Sequence, residues 1–280
     1  MKHLLLLFIF VSQFSFSQNK KIKVSLFNKD SISRFTLLET GLNQPGGPDT
    51  TNSIIELKKK GGIYSFQYIE ISPKSIEVYN SKTLKSILFT FKLKYNSEIE
   101  VLVNNDAIMN SLRKDLIAKY GKDTAAFGEY FFMMYSPDLL IQDKFLKQIE
   151  ILKIYLNNEI TNSKNEVYIP SMTGLVPANN ITSYITNKDQ VSISNKILTD
   201  STKVRSYLYE EGIKKNGDAY KEIFKEKDMV YVPTTITTMV TGEKEKLNET
   251  YLIKQLDYEH KHNQGNPFDI IDIIKIKKVF

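Results

Sequence analysis

What most restricts this 280-residue chain is a hydrophobic period that changes twice. From residue 22 to residue 103, apolar and polar side chains alternate in short runs. From residue 106 to about residue 160, apolar residues recur every three or four positions. Beyond residue 166 the alternation returns. A period of two marks a half-buried strand, and a period of 3.6 marks an amphipathic helix. Strands, then helices, then strands do not build the alternating units of a parallel sheet. The order predicts an antiparallel α+β fold.

The first block predicts strands at residues 22–27 and 35–39. Residues 41–52 read as a loop, because Gly41, Pro45, Gly46, Gly47 and Pro48 crowd into it. It lacks the lysine and the strand-to-helix setting of a phosphate cradle. A hairpin is expected from residues 54–57 and 62–71 around Lys58 to Gly62, and a second from residues 75–79 and 84–95. In the latter Ile87, Phe89, Phe91 and Leu93 share a face. Residues 98–103 continue the meander. The last block predicts a loop at Pro170, Gly174 and Pro177, and strands at 181–186, 190–198 and 230–240. Strands 249–259 and 268–279 are expected to pair. Residues 203–209 and 218–224 read as strand or helix fragments.

Between these blocks, Ile108, Leu112, Leu116 and Tyr120 step by four and Gly121 stops the helix. Ser136 and Pro137 suit the start of a longer helix running to about residue 160. Its stripe holds Phe145, Ile149, Leu152, Leu156 and Ile160, and is widened by Ile151 and Tyr155. So broad a face needs a concave cover. The expectation is one α+β domain over residues 18–280. Its curved antiparallel sheet, in two meanders (18–105 and 166–280), partly wraps the long central helix and a shorter one in the segment 106–165.

Residues 1–17 read as a secretory signal peptide. Lys2 precedes the apolar run 4–11, and Ser15 and Ser17 offer the small side chains needed for cleavage after Ser17. The run is shorter than the roughly 18–20 residues that cross a bilayer. With no cysteine, the chain has no disulfide, no thiolate nucleophile and no lipid on an N-terminal cysteine. The expected location is outside the cytoplasm, in the periplasm or beyond, in soluble form and with no transmembrane segment after cleavage. Net charge is +6, carried almost wholly by lysine; the arginines are Arg34, Arg113 and Arg205. Nucleic-acid readers rely on arginine forks, so no nucleic-acid partner is expected.

The run of a meander, the segment VNNDAIMNSLRKDLIAKYGK, a long apolar helix and a second meander resembles secreted bacterial proteins with a curved antiparallel sheet over helices. More distantly, it is similar to the periplasmic lipoprotein-carrier architecture. The resemblance covers most of the chain after residue 17, as an order of elements. No signature residue matches, so none is carried over. It implies a half-barrel with an apolar cavity.

Candidate chemistry is sparse. His260 and His262 are the only histidines after the signal. On a strand they share a face with Tyr258. Two imidazoles can hold zinc or copper, though a closed site needs more ligands. They are the candidate metal ligands; no cofactor is expected. Ser171 is the nearest thing to a loop nucleophile, without a nucleophile-elbow motif. Asp269 and Asp272, in an isoleucine-rich strand, read as charges guarding a sheet edge. Phe131 and Met134, from the aromatic run 130–135, join Phe145 and Ile149 as a candidate apolar ligand lining. The functional expectation is an exported, non-enzymatic binding protein. It would hold an apolar small molecule or dock a protein partner in the concave face. A secreted hydrolase using carboxylates and an interaction protein with a closed core are the alternatives.

Overall fold

Strand β3 (Asp49–Lys60) and strand β4 (Ile63–Ile71) are joined by Gly61 and Gly62 alone. Both glycines have positive φ, 56° and 79°. Such a two-residue turn matches the right-handed twist of the strands it joins, and glycine, without a Cβ, enters it at no steric cost. The computed structural model describes residues 20–27, 32–42, 49–71, 81–95, 98–103, 105–120, 141–156, 159–171, 174–229, 231, 233–246, 249–262 and 270–279.

Thirteen strands among the described residues form one open, curved sheet. Besides β3 and β4 these are β1 (Ile22–Ser25), β2 (Ile32–Leu42), β5 (Phe89–Leu93), β6 (Ile99–Val101), β7 (Glu159–Ile160), β8 (Ser163–Ser171), β9 (Gly174–Thr186), β10 (Gln190–Thr199), β11 (Thr234–Lys244), β12 (Thr250–His262) and β13 (Ile270–Val279). Eleven of them run in the order β6-β5-β4-β3-β2-β13-β12-β11-β10-β9-β8, each antiparallel to its neighbours. The two expected meanders are therefore one sheet, spliced where β13 pairs with β2 from Ile271↔Leu42 to Val279↔Arg34. The short β1 lies parallel to the start of β12 and antiparallel to β7. The β11–β12 register shifts between Thr241 and Gly242, which lie opposite Gln255 and Ile253, so the extra residue of the bulge is on β12. A Cβ at Gly242 would stand 3.0 Å from Val191 Cγ1 and 3.1 Å from Ile253 Cδ1, so a side chain there needs those neighbours to shift by a few tenths of an ångström.

Among the described residues the α-helices are α1 (Ser81–Ser86), α2 (Asn105–Tyr120), α3 (Lys147–Lys153), α4 (Ser201–Asn216) and α5 (Ala219–Ile223). A π-helical turn, Gln142–Leu146, leads into α3. The α+β class holds, with the sheet dominant. A large core lies on one face of the sheet, where Phe145, Ile149 and Leu152 meet Phe35, Phe66, Phe89, Leu256 and Ile276. A smaller core gathers Ile169, Val176, Ala178, Val204 and Tyr231.

Several expectations need correction. Residues 84–86 are helical rather than the start of a strand. One and a half turns drop Leu84 fully inward and leave Lys82 and Ser86 outside, and alternation begins only at Phe89. Residues 75–79 lie outside the described set. The helix expected to reach residue 160 ends at Lys153. Tyr155, Leu156 and Ile160 are buried as the stripe requires, but in a turn and in β7. Pro170 and Pro177 sit in strands, where neither has to donate to the ladder. Pro170 is on the outermost strand, and Pro177 lies beyond the end of β10. Residues 203–209 belong to α4. Its N-cap Asp200 accepts from the backbone N–H of Thr202 and Lys203. Asp272 guards no edge, since β13 is interior to the sheet; Asp269 lies outside the described residues.

Candidate functional site

The register sorts inward side chains into rows that cross the strands. One row is apolar: Ile193, Val240, Leu256, Ile276 and Leu37 follow one another from β10 to β2, all buried. Two residues along every strand the character reverses. That row reads Thr182, Asn195, Thr238, Tyr258, Ile274, Glu39 and Thr51, polar except for Ile274. Seven strands at about 4.8 Å spacing make it roughly 30 Å long. The next row brings Asn180, His260 and Asp272 onto the same face.

Buried polar groups are tolerated when hydrogen-bonded. At the β9–β10 end of this seam, Asn195 Nδ2 donates to Asn180 Oδ1 at 2.7 Å and to Thr182 Oγ1 at 2.8 Å. At the β2–β13 end the partners come from the helical segment. Gln148 Nε2 donates to Glu39 Oε1 at 2.8 Å, Lys144 Nζ lies 3.7 Å from Glu39 Oε2, and Lys147 Nζ lies 3.3 Å from Asp272 Oδ2. The Tyr68 hydroxyl donates to the Lys144 carbonyl at 2.8 Å, pinning the π-helical turn to β4. Such turns widen a helix locally and often occur at functional sites. Here the turn carries Lys144 and Phe145.

Between the two ends, the Tyr258 hydroxyl and His260 Nδ1 lie 3.3 Å apart. Burial, then the negative charge of Asp272, pushes the Tyr258 pKa up to about 12. Gln148 is fully buried, and among the described residues its Oε1 finds no donor. The Tyr155 hydroxyl, also fully buried, has no partner among the described residues, and burial raises its pKa.

The sequence-predicted residues fall around this seam unevenly. Phe145 is fully buried; its ring stacks on Phe89 at 5.3 Å and meets Phe66 and Tyr68 edge-on. Ile149 is also fully buried. Phe131 and Met134 lie outside the described residues. His260 stands on β12 opposite Asp272, and His262 stands opposite Ile270, its side chain outside the description. Among the described residues, no three His, Asp or Glu side chains converge as a metal site would need. Glu39, Lys144, Lys147, Gln148 and Asn195 were not singled out from sequence. Their signal was there: Glu39 keeps the strand parity of Phe35 and Leu37, and Lys144 and Gln148 sit one turn apart beside Phe145 and Ile149. A half-open pocket of about 400 Å³, lined by Ile185, Gln190, Ser192, Thr241 and Lys254, lies away from the seam and holds none of the expected residues.

No protein-family model matches the sequence. No curated protein matches it either. Among solved structures the chain is similar to lipovitellin, studied for its lipid–protein interactions, with 10% identity and a TM-score of 0.43. The match covers 89% of this chain and 25% of that one, so the chain spans about a quarter of the lipovitellin chain's length. A likeness of that degree carries no argument about a ligand. No helix among the described residues is long and apolar enough to cross a membrane.

Proposed function

We propose that the chain is an exported, non-enzymatic binding protein whose ligand lies against the inner sheet face, where the apolar core gives way to the polar seam. The observation that carries this is Gln148. A buried amide oxygen without a partner costs free energy, on the order of 1–3 kcal/mol, that a ligand's donor would recover. Glu39, Asp272, Tyr258 and His260 surround the same boundary from the sheet side. An amphiphile with a hydroxyl or amine donor on its polar end fits such a boundary. Its apolar part would be served by Phe131, Met134, Phe145 and Ile149, and His260 with His262 would be the pair to hold a metal. Glu39 and Asp272 are each held by a lysine, which suits a structural pair better than the acid and base of a hydrolase.

Full burial of Phe145 and Ile149 favours a second reading, in which the core is closed and a protein partner docks outside it. Native mass spectrometry of the purified protein, with titration of long-chain alcohols, amines and lysophospholipids, separates the two. Retained amphiphile, with binding weakened about tenfold or more in Gln148→Leu, is the expected result. No retained molecule and no binding across the panel, by a protein of native circular dichroism, would leave the docking reading alone.

A further inference from the structure

The open sheet ends on two unlike strands. At one end β6 is three residues long, while at the other β8 has nine. On the described sheet β8 pairs with β9 alone, and Ser163, Lys164, Asn165 and Glu166 are all exposed. Pro170 shows which backbone groups face outward. A proline is accepted in a strand where its missing N–H would point off the ladder. With the period of two, Lys164, Glu166 and Tyr168 then turn their N–H and C=O groups to the open side.

We propose that this edge pairs with β8 of a second copy, antiparallel, about a two-fold axis through Asn165. In that register Lys164 of one copy lies opposite Glu166 of the other, twice, as a hydrogen-bonded pair on the solvent face. Ser163 lies opposite Val167. Other registers lose this match: centring on Glu166 opposes two carboxylates, and centring on Val167 pairs Glu166 with Tyr168. Edge charges ordinarily deter strangers. Here their order Lys-x-Glu deters most partners and fits its own inverted copy. The contact is isologous, so it closes at a dimer and keeps both inner faces on one side of a doubled sheet. It stands independently of what the inner face binds.

Sedimentation equilibrium of the purified protein is expected to show a reversible dimer. Lys164→Glu and Glu166→Lys, separately, each raise the dimer dissociation constant by about tenfold, because two favourable cross-strand pairs become repulsive. An equimolar mixture of the two variants dimerises again, since each supplies the charge the other now needs. That recovery also excludes misfolding as the cause of either loss. Glu166→Pro, which removes only an outward N–H, abolishes the dimer with unchanged circular dichroism. A monomer at every concentration, single reversals without effect, or a mixture that stays monomeric would each overturn the proposal.

Discussion

The two cores lie on one face of one sheet, yet they are built differently. The larger draws on both meanders and on the segment 141–156. It is rich in aromatic rings, with Phe35, Phe66, Phe89, Phe91 and Phe145 all at or near zero exposure. The smaller is assembled from residues 167–231 by β8, β9, α4 and Tyr231, with Ile197 of β10 packed against it, and Val204 is the one fully buried side chain that α4 contributes. Asn180, Thr182 and Asn195 stand between them on the same face. An apolar row would have fused the two. A polar row lets the smaller one open without exposing the larger, which is how cooperative sub-units of a fold are separated.

The sharpest way to break that comparison is to cut into each core in turn. Phe145→Ala is expected to lower the stability of the whole sheet by about 3–5 kcal/mol, read as a shift in denaturant midpoint. Val204→Ala should cost about 1–2 kcal/mol. It should appear first as faster amide exchange in β8, β9 and α4, with β2–β5 still protected. Equal loss of protection across the sheet in both variants would mean a single core. Next comes the divider. Asn195→Ala leaves the part-buried Asn180 oxygen and the buried Thr182 oxygen without their donor and should destabilise by about 1–3 kcal/mol. Asn195→Leu should couple the two cores, making exchange in β8 and β9 as slow as in β10 and β11.

A separate effect is expected at high pH. Tyr258 stays protonated in the folded protein to about pH 12, above the tyrosine value of about 10 expected when unfolded. The unfolded chain loses this proton first. The contribution of Tyr258 to stability is therefore complete below pH 10 and disappears as pH rises through 12. Ultraviolet titration should show late-ionising tyrosines, Tyr155 and Tyr258 among them, of which Asp272→Asn moves one to lower pH. A titration unchanged by that substitution would separate Tyr258 from the seam.

Much of the sheet was legible because its inward residues alternate without interruption. Phe35 with Leu37, Phe89 with Phe91, and Leu256 with the C-terminal isoleucines were all readable as faces. Less visible were places where two signals compete. Leu84 belongs to an apolar run but packs from a helical turn. Pro170 and Pro177 carry loop chemistry but sit where strand geometry forgives them. The seam was hidden for another reason. A glutamate or asparagine at an inward position resembles any surface residue until the register sets it beside others of its kind. Glu39 and Asp272 are far apart in sequence and meet only through the β2–β13 splice.

That splice has a consequence in time. The Thr36 hydroxyl donates to the carbonyl of Lys277 across 241 positions of sequence, between strands near opposite ends of the chain. Contacts of such separation are slow to form. A chain made from its N-terminus could complete β2 to β6 early, yet β2 would wait with one bare flank until β13 emerged. For that interval two half-sheets would each carry an open strand, the state most prone to wrong pairings. Strand β13 thus acts as the closing stitch, and deleting it should yield aggregate rather than a smaller folded protein.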